Sequence, residues 1–156
     1  MATKLNIDTG VKEYEINGGE ANGGGVLRFN PADPNVYERF VSVADEIEKI
    51  EADMVKKGKE LNDGDGRSAL ALMRETDLAV KAKLQQAFGA ENDFDAMLGG
   101  VNLLAVAANG ERIITNLIAA LQPIMEDGLK TYTRGKADAA VATAKANRAQ
   151  RRAAKG

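Results

Sequence analysis

The chain has no cysteine and no histidine. Together these absences exclude disulfides, the usual structural zinc sites, haem ligation by either residue, thiol nucleophiles, Ser-His triads and the most versatile general base. It has no tryptophan and only 4% aromatic residues, so the large rigid side chains that build ligand pockets, base-stacking platforms and interface hot spots are scarce. A small-molecule pocket is therefore not expected, nor is a cofactor. No apolar run follows Met1-Ala2-Thr3-Lys4, and none elsewhere approaches the roughly 20 residues that span a bilayer. The expectation is a protein that stays in the cytoplasm where it is made and touches no membrane.

What is present is length and a division of charge. At 156 residues the chain is the size of one domain and can bury a core without disulfides or metal. The net charge of −2 hides two halves: Lys130, Arg134, Lys136, Lys145, Arg148, Arg151, Arg152 and Lys155 stand against Asp138 alone, so 129–156 carries +7 and the rest −9. An acidic body with a basic tail points to an anionic partner or an acidic protein face for the tail.

Residues 1–30 read as a small β region. Leu5 and Ile7 alternate, Asp8-Thr9-Gly10 offers a turn, and Tyr14 and Ile16 alternate with Glu13 and Glu15, which predicts a β-hairpin. Val26 to Phe29 is the candidate third strand. Between them, the Gly-rich run from Gly18 to Gly25 has too little side chain to pack and reads as a mobile loop. As a phosphate loop it fails, since no Lys-Ser or Lys-Thr pair follows and Val26-Leu27-Arg28-Phe29 looks like a strand rather than a helix start.

The helical core is expected over 31–128. Asp33 can cap and Pro34 pre-sets φ, so a helix is predicted from Pro34 to Asn62. Val36, Phe40, Val43, Ile47, Ile50 and Met54 recur at heptad spacing along it. That seam serves either packing within an antiparallel bundle or an intermolecular coiled coil, and these six residues are the candidate partner contacts. The acidic turn Asn62-Asp63-Gly64-Asp65-Gly66 fails as a calcium loop, because Leu61 and Leu72 fall where two essential carboxylates belong. A second helix is predicted from Arg67 to Phe88, with Leu70, Met73, Val80, Leu84 and Phe88 on one side and Arg74, Glu75, Lys81 and Lys83 elsewhere. A short helix around Asp93 to Leu98 and an apolar stretch Val101 to Ala108, helix or strand, come next.

The helix predicted from Gly110 to Asp127 has the widest apolar stripe, Ile113, Ile114, Leu117, Ile118, Leu121, Ile124 and Met125, and is expected at the centre of the core. Pro123 should kink or break it. Beyond Gly128 nothing apolar remains to bury, so 129–156 reads as a tail, with 137–156 a frayed helix or disordered. Carboxylate pairs such as Glu46 and Glu48, Asp63 and Asp65, or Asp93 and Asp95 have no apolar surround that would shift a pKa, so no catalytic or metal residue is assigned. Arg148, Arg151 and Arg152 join the candidate partner contacts. No aromatic lies among the tail's basic residues and the body is acidic, so nucleic acid is not expected as the main partner.

The order of segments carries a resemblance. Phe29-Asn30-Pro31-Ala32-Asp33-Pro34-Asn35-Val36-Tyr37-Glu38-Arg39-Phe40, then a charged helical pair, Phe88-Gly89, Met97-Leu98-Gly99-Gly100-Val101-Asn102, an apolar helix and the closing Asn147-Arg148-Ala149-Gln150-Arg151-Arg152 resemble the tail assembly chaperones of long-tailed bacteriophages and prophages. The likeness covers most of the chain. It implies a non-catalytic assembly factor in the host bacterial cytoplasm that binds the tape measure protein, keeps it soluble and is absent from the finished virion. It also implies self-association, and contact with the tail tube protein through a form extended by ribosomal frameshifting. The alternative is a structural or connector tail protein that homo-oligomerises through its helices. The expected fold is mainly α: an N-terminal β-hairpin or three-stranded sheet, an antiparallel helical bundle, and a flexible basic tail.

Overall fold

A computed structural model describes residues 2–155, the side chains of 134–143 and 155 excepted. Its elements run β1 (Lys12–Ile16), β2 (Gly25–Phe29), α1 (Pro34–Glu60), α2 (Gly66–Phe88), α3 (Phe94–Met97) and α4 (Ile113–Lys155). The fold is mainly α, with a two-stranded antiparallel hairpin ahead of the helices. Among the described residues no helix is long and apolar enough to cross a membrane.

The hairpin forms, but not where alternation first places it. β1 pairs with β2 in the register Lys12↔Phe29 to Ile16↔Gly25, and Leu5 and Ile7 stand outside any strand, 81% and 71% exposed. The Asp8 carboxylate accepts from the Gly10 N–H, and the Asn30 side chain donates to the Thr9 carbonyl. That turn therefore steers the chain into β1 instead of closing a hairpin. The glycine run contains one 3₁₀ turn at Glu20–Asn22, closed by Gly24 N–H donating to the Gly19 carbonyl at 2.9 Å. Glycine is needed at 25, because a Cβ there would lie 2.6 Å from Met97 Cα.

A two-stranded sheet is marginal by itself, and a side chain supplies what a third strand would. Asn92, 1% exposed, accepts from the Arg28 N–H, donates to the Arg28 carbonyl and donates to the Phe88 carbonyl, all within 2.9 Å. Asn92→Ala leaves these groups buried without partners and should cost about 3 kcal/mol, at about 1–3 kcal/mol per buried group. Urea denaturation reads this directly, and a loss below about 1 kcal/mol would show that water replaces the amide.

The four phenylalanines gather in one place. Phe88 meets Phe29 at 4.9 Å, Phe94 at 5.7 Å and Phe40 at 5.9 Å between ring centroids, so β2, α1, α2 and α3 share one aromatic centre. Leu27 and Phe29 belong to the same buried cluster as the helices, with Tyr14 and Ile16 packed against it, so the hairpin is part of the body. Asp33 caps α1 by accepting from Asn35, and Pro34 opens it, as expected. The segment Val101 to Ala108 is neither helix nor strand: Leu103 and Leu104 plug the core from turns, and Val106 bridges to Arg112.

Two expectations about α4 are corrected. It is not the centre of the core: only Ile114, Leu121 and Met125 of its stripe are fully buried, while Ile113, Leu117, Ile118 and Ile124 pack from the side. Nor does it end at Pro123 or Asp127; it is one helix of 43 residues. Pro123 is solvent-exposed there. The basic tail, expected as a frayed helix or disordered, lies on the end of this helix, and Ala144 to Ala154 are exposed along it. The side chains of 137–143 and of Lys155, and Gly156 entirely, lie outside the described residues.

Candidate functional site

The heptad seam of α1 divides into two parts. Val36, Phe40, Val43 and Ile47 are 4–7% exposed and face the molecule's own core. They pack into the chain's own core and not on a free helix face, although Ile47 also reaches the floor of a groove between α1 and α4. Ile50 and Met54 are half-buried, Ile50 against the edge of the core.

At this end the two helices leave an open, mostly apolar cleft of about 530 Å³, lined by Met54 and Val55 from α1, by Leu61, Asn62, Asp63 and Asp65 from the turn, and by Ala69, Leu72 and Met73 from α2. Local sequence explains it. Gly58 has no side chain to fill the gap, a Cβ there meeting only Leu72 Cδ2 at 4.0 Å. The turn at Asn62–Asp65 keeps the helix ends apart, and Asp65 caps α2 by accepting from the Ser68 N–H. Hydrogen bonds from Ser68 hold the Asp65 carboxyl below its ordinary value, so this residue is engaged as a helix cap. Leu70 is 71% exposed beside the cleft, not on the buried side as its spacing predicts. A cleft lined by methionine and leucine accepts apolar side chains of varied shape, because the thioether adapts its rotamers.

Further grooves lie against α4. One of about 390 Å³ separates it from β1 and is floored by Tyr14, Ile16, Leu117 and Ile124. Another, about 350 Å³, runs between α1 and α4 over Ile47, Ile114 and Ile118, with Glu48 and Glu51 at its edge.

Arg148, Arg151 and Arg152 are exposed on α4, and the structure does not bring them to the α1 seam. From Met125, the last core residue of α4, to Arg148 is 23 residues, which at 1.5 Å per residue is about 35 Å.

One buried polar centre escapes the sequence pattern. Lys81, assigned to the polar side of α2, is 5% exposed. Its ammonium donates to Asp77 at 2.8 Å, Asp95 at 2.6 Å and the Val101 carbonyl at 2.7 Å, while the other Asp77 oxygen accepts from the Leu103 N–H. Burial pushes the Lys81 ammonium down, but the hydrogen bonds and charges of Asp77 and Asp95 outweigh it and hold it above the ordinary lysine value. The group pins the 101–104 turn to α2. Its signal in the sequence is Asp77 at the gap between Met73 and Val80 on the apolar face, one turn before Lys81.

Among the described residues no group of three or more acidic side chains is placed to hold a metal ion. In comparison with known proteins, no family model matches the chain, and no curated protein or solved structure matches it.

Proposed function

We propose that this chain is a non-catalytic assembly factor of the tail assembly chaperone kind, holding the tape measure protein soluble in the host bacterial cytoplasm and leaving before the virion is complete. The observation that carries the reading is the open Met- and Leu-lined cleft at the end of the α1–α2 pair, in a chain whose segment order resembles that family. A tape measure protein is a long series of amphipathic helices, each offering a different set of apolar side chains at i, i+3 and i+4. An adaptable cleft suits such a series better than a shape-specific pocket, and an exposed one releases its client readily. Frameshifted extension towards the tail tube protein belongs to the same proposal.

Co-expression tests it. The wild-type chain should keep an otherwise aggregating tape measure fragment in the soluble fraction. Val55→Glu with Met73→Glu, both exposed residues of the cleft lining, should abolish that protection while changing folding stability by only about 0.5 kcal/mol per site. If no long helical tail protein gains solubility and the chain is found stoichiometrically in finished particles, the connector reading replaces this one.

A further inference from the structure

The groove between α1 and α4 has an apolar floor and unneutralised acid on its α1 side. Ile47, Ile114 and Ile118 floor it, and the small residues Ala44 and Ala119 keep it shallow. Several acids of α1 already have cations: Glu46 pairs with Lys83, Glu51 with Arg112 and Asp53 with Lys57. Glu48 lines the groove and Asp45 is exposed one turn before it, outside the lining; among the described residues neither has a cationic partner. An occupant with small side chains and positive charge fits this groove.

The C-terminal part of α4 has that chemistry. Ala146, Ala149 and Ala153 fall at spacings of three and four, one small-residue face that lets a helix backbone approach closely. At 100° per residue Lys145 and Arg152 flank this face, whereas Arg151 points the opposite way. Among the described residues neither Lys145 nor Arg152 has an acidic partner.

The tail cannot reach the groove of its own chain. Ile118 and Arg152 sit in the same helix, 34 residues apart, which is about 50 Å at 1.5 Å per residue. We propose that the C-terminal helix of one copy docks in the α1–α4 groove of a second copy, its alanine face on the isoleucine floor and Lys145 and Arg152 over Asp45 and Glu48. Charge complementarity between the +7 tail and the −9 body selects a second copy as the occupant. Each copy offers one tail and one groove, so the exchange is reciprocal in a dimer or head-to-tail in a longer assembly. The inference does not depend on the tape measure reading; it stands or falls on the purified chain alone.

Sedimentation equilibrium of the full chain tests it, with circular dichroism confirming that each variant is folded. Wild type should self-associate at about 0.1 M salt and at least tenfold more weakly at about 1 M, as the screening length falls from about 10 Å to about 3 Å. Lys145→Glu with Arg152→Glu should be monomeric where wild type associates, and so should Asp45→Lys with Glu48→Lys. Arg151→Glu, on the far face, should behave as wild type. Mixing the two charge-reversed variants should restore a complex that neither forms alone. Removal of residues 137–156 leaves the described core residues in place and should also give a monomer. A wild-type chain that is monomeric throughout overturns the proposal. So does an Arg151→Glu variant weakened as much as the flank variant, or a truncated chain that still associates. Failure of the reversed variants to combine would show a diffuse charge effect rather than this groove.

Discussion

Lys81→Met should lower the folding free energy by about 3–5 kcal/mol, the usual consequence of removing one partner of a buried ion pair. The loss comes mainly from Asp77, whose side chain is 8% exposed, and less from Asp95, which is 55% exposed and can turn to water. The Val101 carbonyl also loses its donor. For a domain of this size the midpoint of thermal unfolding should fall by roughly 10 °C, at about 2–4 °C per kcal/mol. Adding Asp77→Asn should recover part of the loss, because the amide oxygen can still accept from the Leu103 N–H without stranding a charge, so the double variant should lose less than the sum of the singles. Additive losses would show that the ammonium and the carboxylate do not act as a unit. The pH dependence has a definite sign. A lysine whose folded pKa lies above its unfolded value of about 10.4 contributes stability that is complete below that value and is lost as pH rises through the folded one. Wild type should therefore lose part of its lead over Lys81→Met as pH rises above about 10.4.

Gly128→Ala should destabilise the protein by about 3 kcal/mol, opposite in sign to the usual effect of the change. In an exposed helix interior, Gly→Ala gains about 1 kcal/mol because alanine has less backbone entropy to lose. Gly128 is buried in α4 against the Pro31 carbonyl, and a Cβ would overlap both the carbon and the oxygen of that backbone group. Neither side can give by rotating a side chain, so the helix must move away from the turn that starts α1, at an overpacking cost of about 1–3 kcal/mol or more. Gly58→Ala supplies the contrast, since its nearest neighbour would be a leucine methyl at 4.0 Å. It should be neutral or stabilise by up to about 1 kcal/mol. Calorimetry of the two variants side by side measures both, and equal shifts would remove the close approach of α4 to Pro31 as an explanation.

The parts of this fold that were legible in the sequence depend on near neighbours. Asp33-Pro34 marks the start of α1, the heptad spacing marks its buried side, and Gly89 marks the end of α2, all within a few residues of the feature they specify. The parts that were not legible depend on residues far along the chain. Leu5 and Ile7 alternate as a strand does, but no partner strand is brought to them, while Lys12 to Ile16 finds β2 across the glycine turn. Lys81 looks like a surface residue until Asp95 and Val101 close over it, 14 and 20 positions on. Asn92 gives no local sign that it completes a strand 64 residues away. The candidate site follows the same rule. Heptad spacing named Met54 but could not tell that Val36 to Ile47 would be buried in the chain's own core while Leu61, Leu72 and Met73 lined an open cleft.

The length of α4 changes how the molecule travels through solution. A compact chain of 156 residues has a radius of gyration of about 15 Å, whereas a helix of 43 residues is about 65 Å from end to end. A body carrying such a rod meets more friction than a sphere of equal mass, so a single copy will elute early from a sizing column, where a globular dimer is expected. Elution volume alone would then not distinguish one copy from two, and only a shape-independent mass from light scattering or sedimentation equilibrium separates an elongated monomer from a true pair.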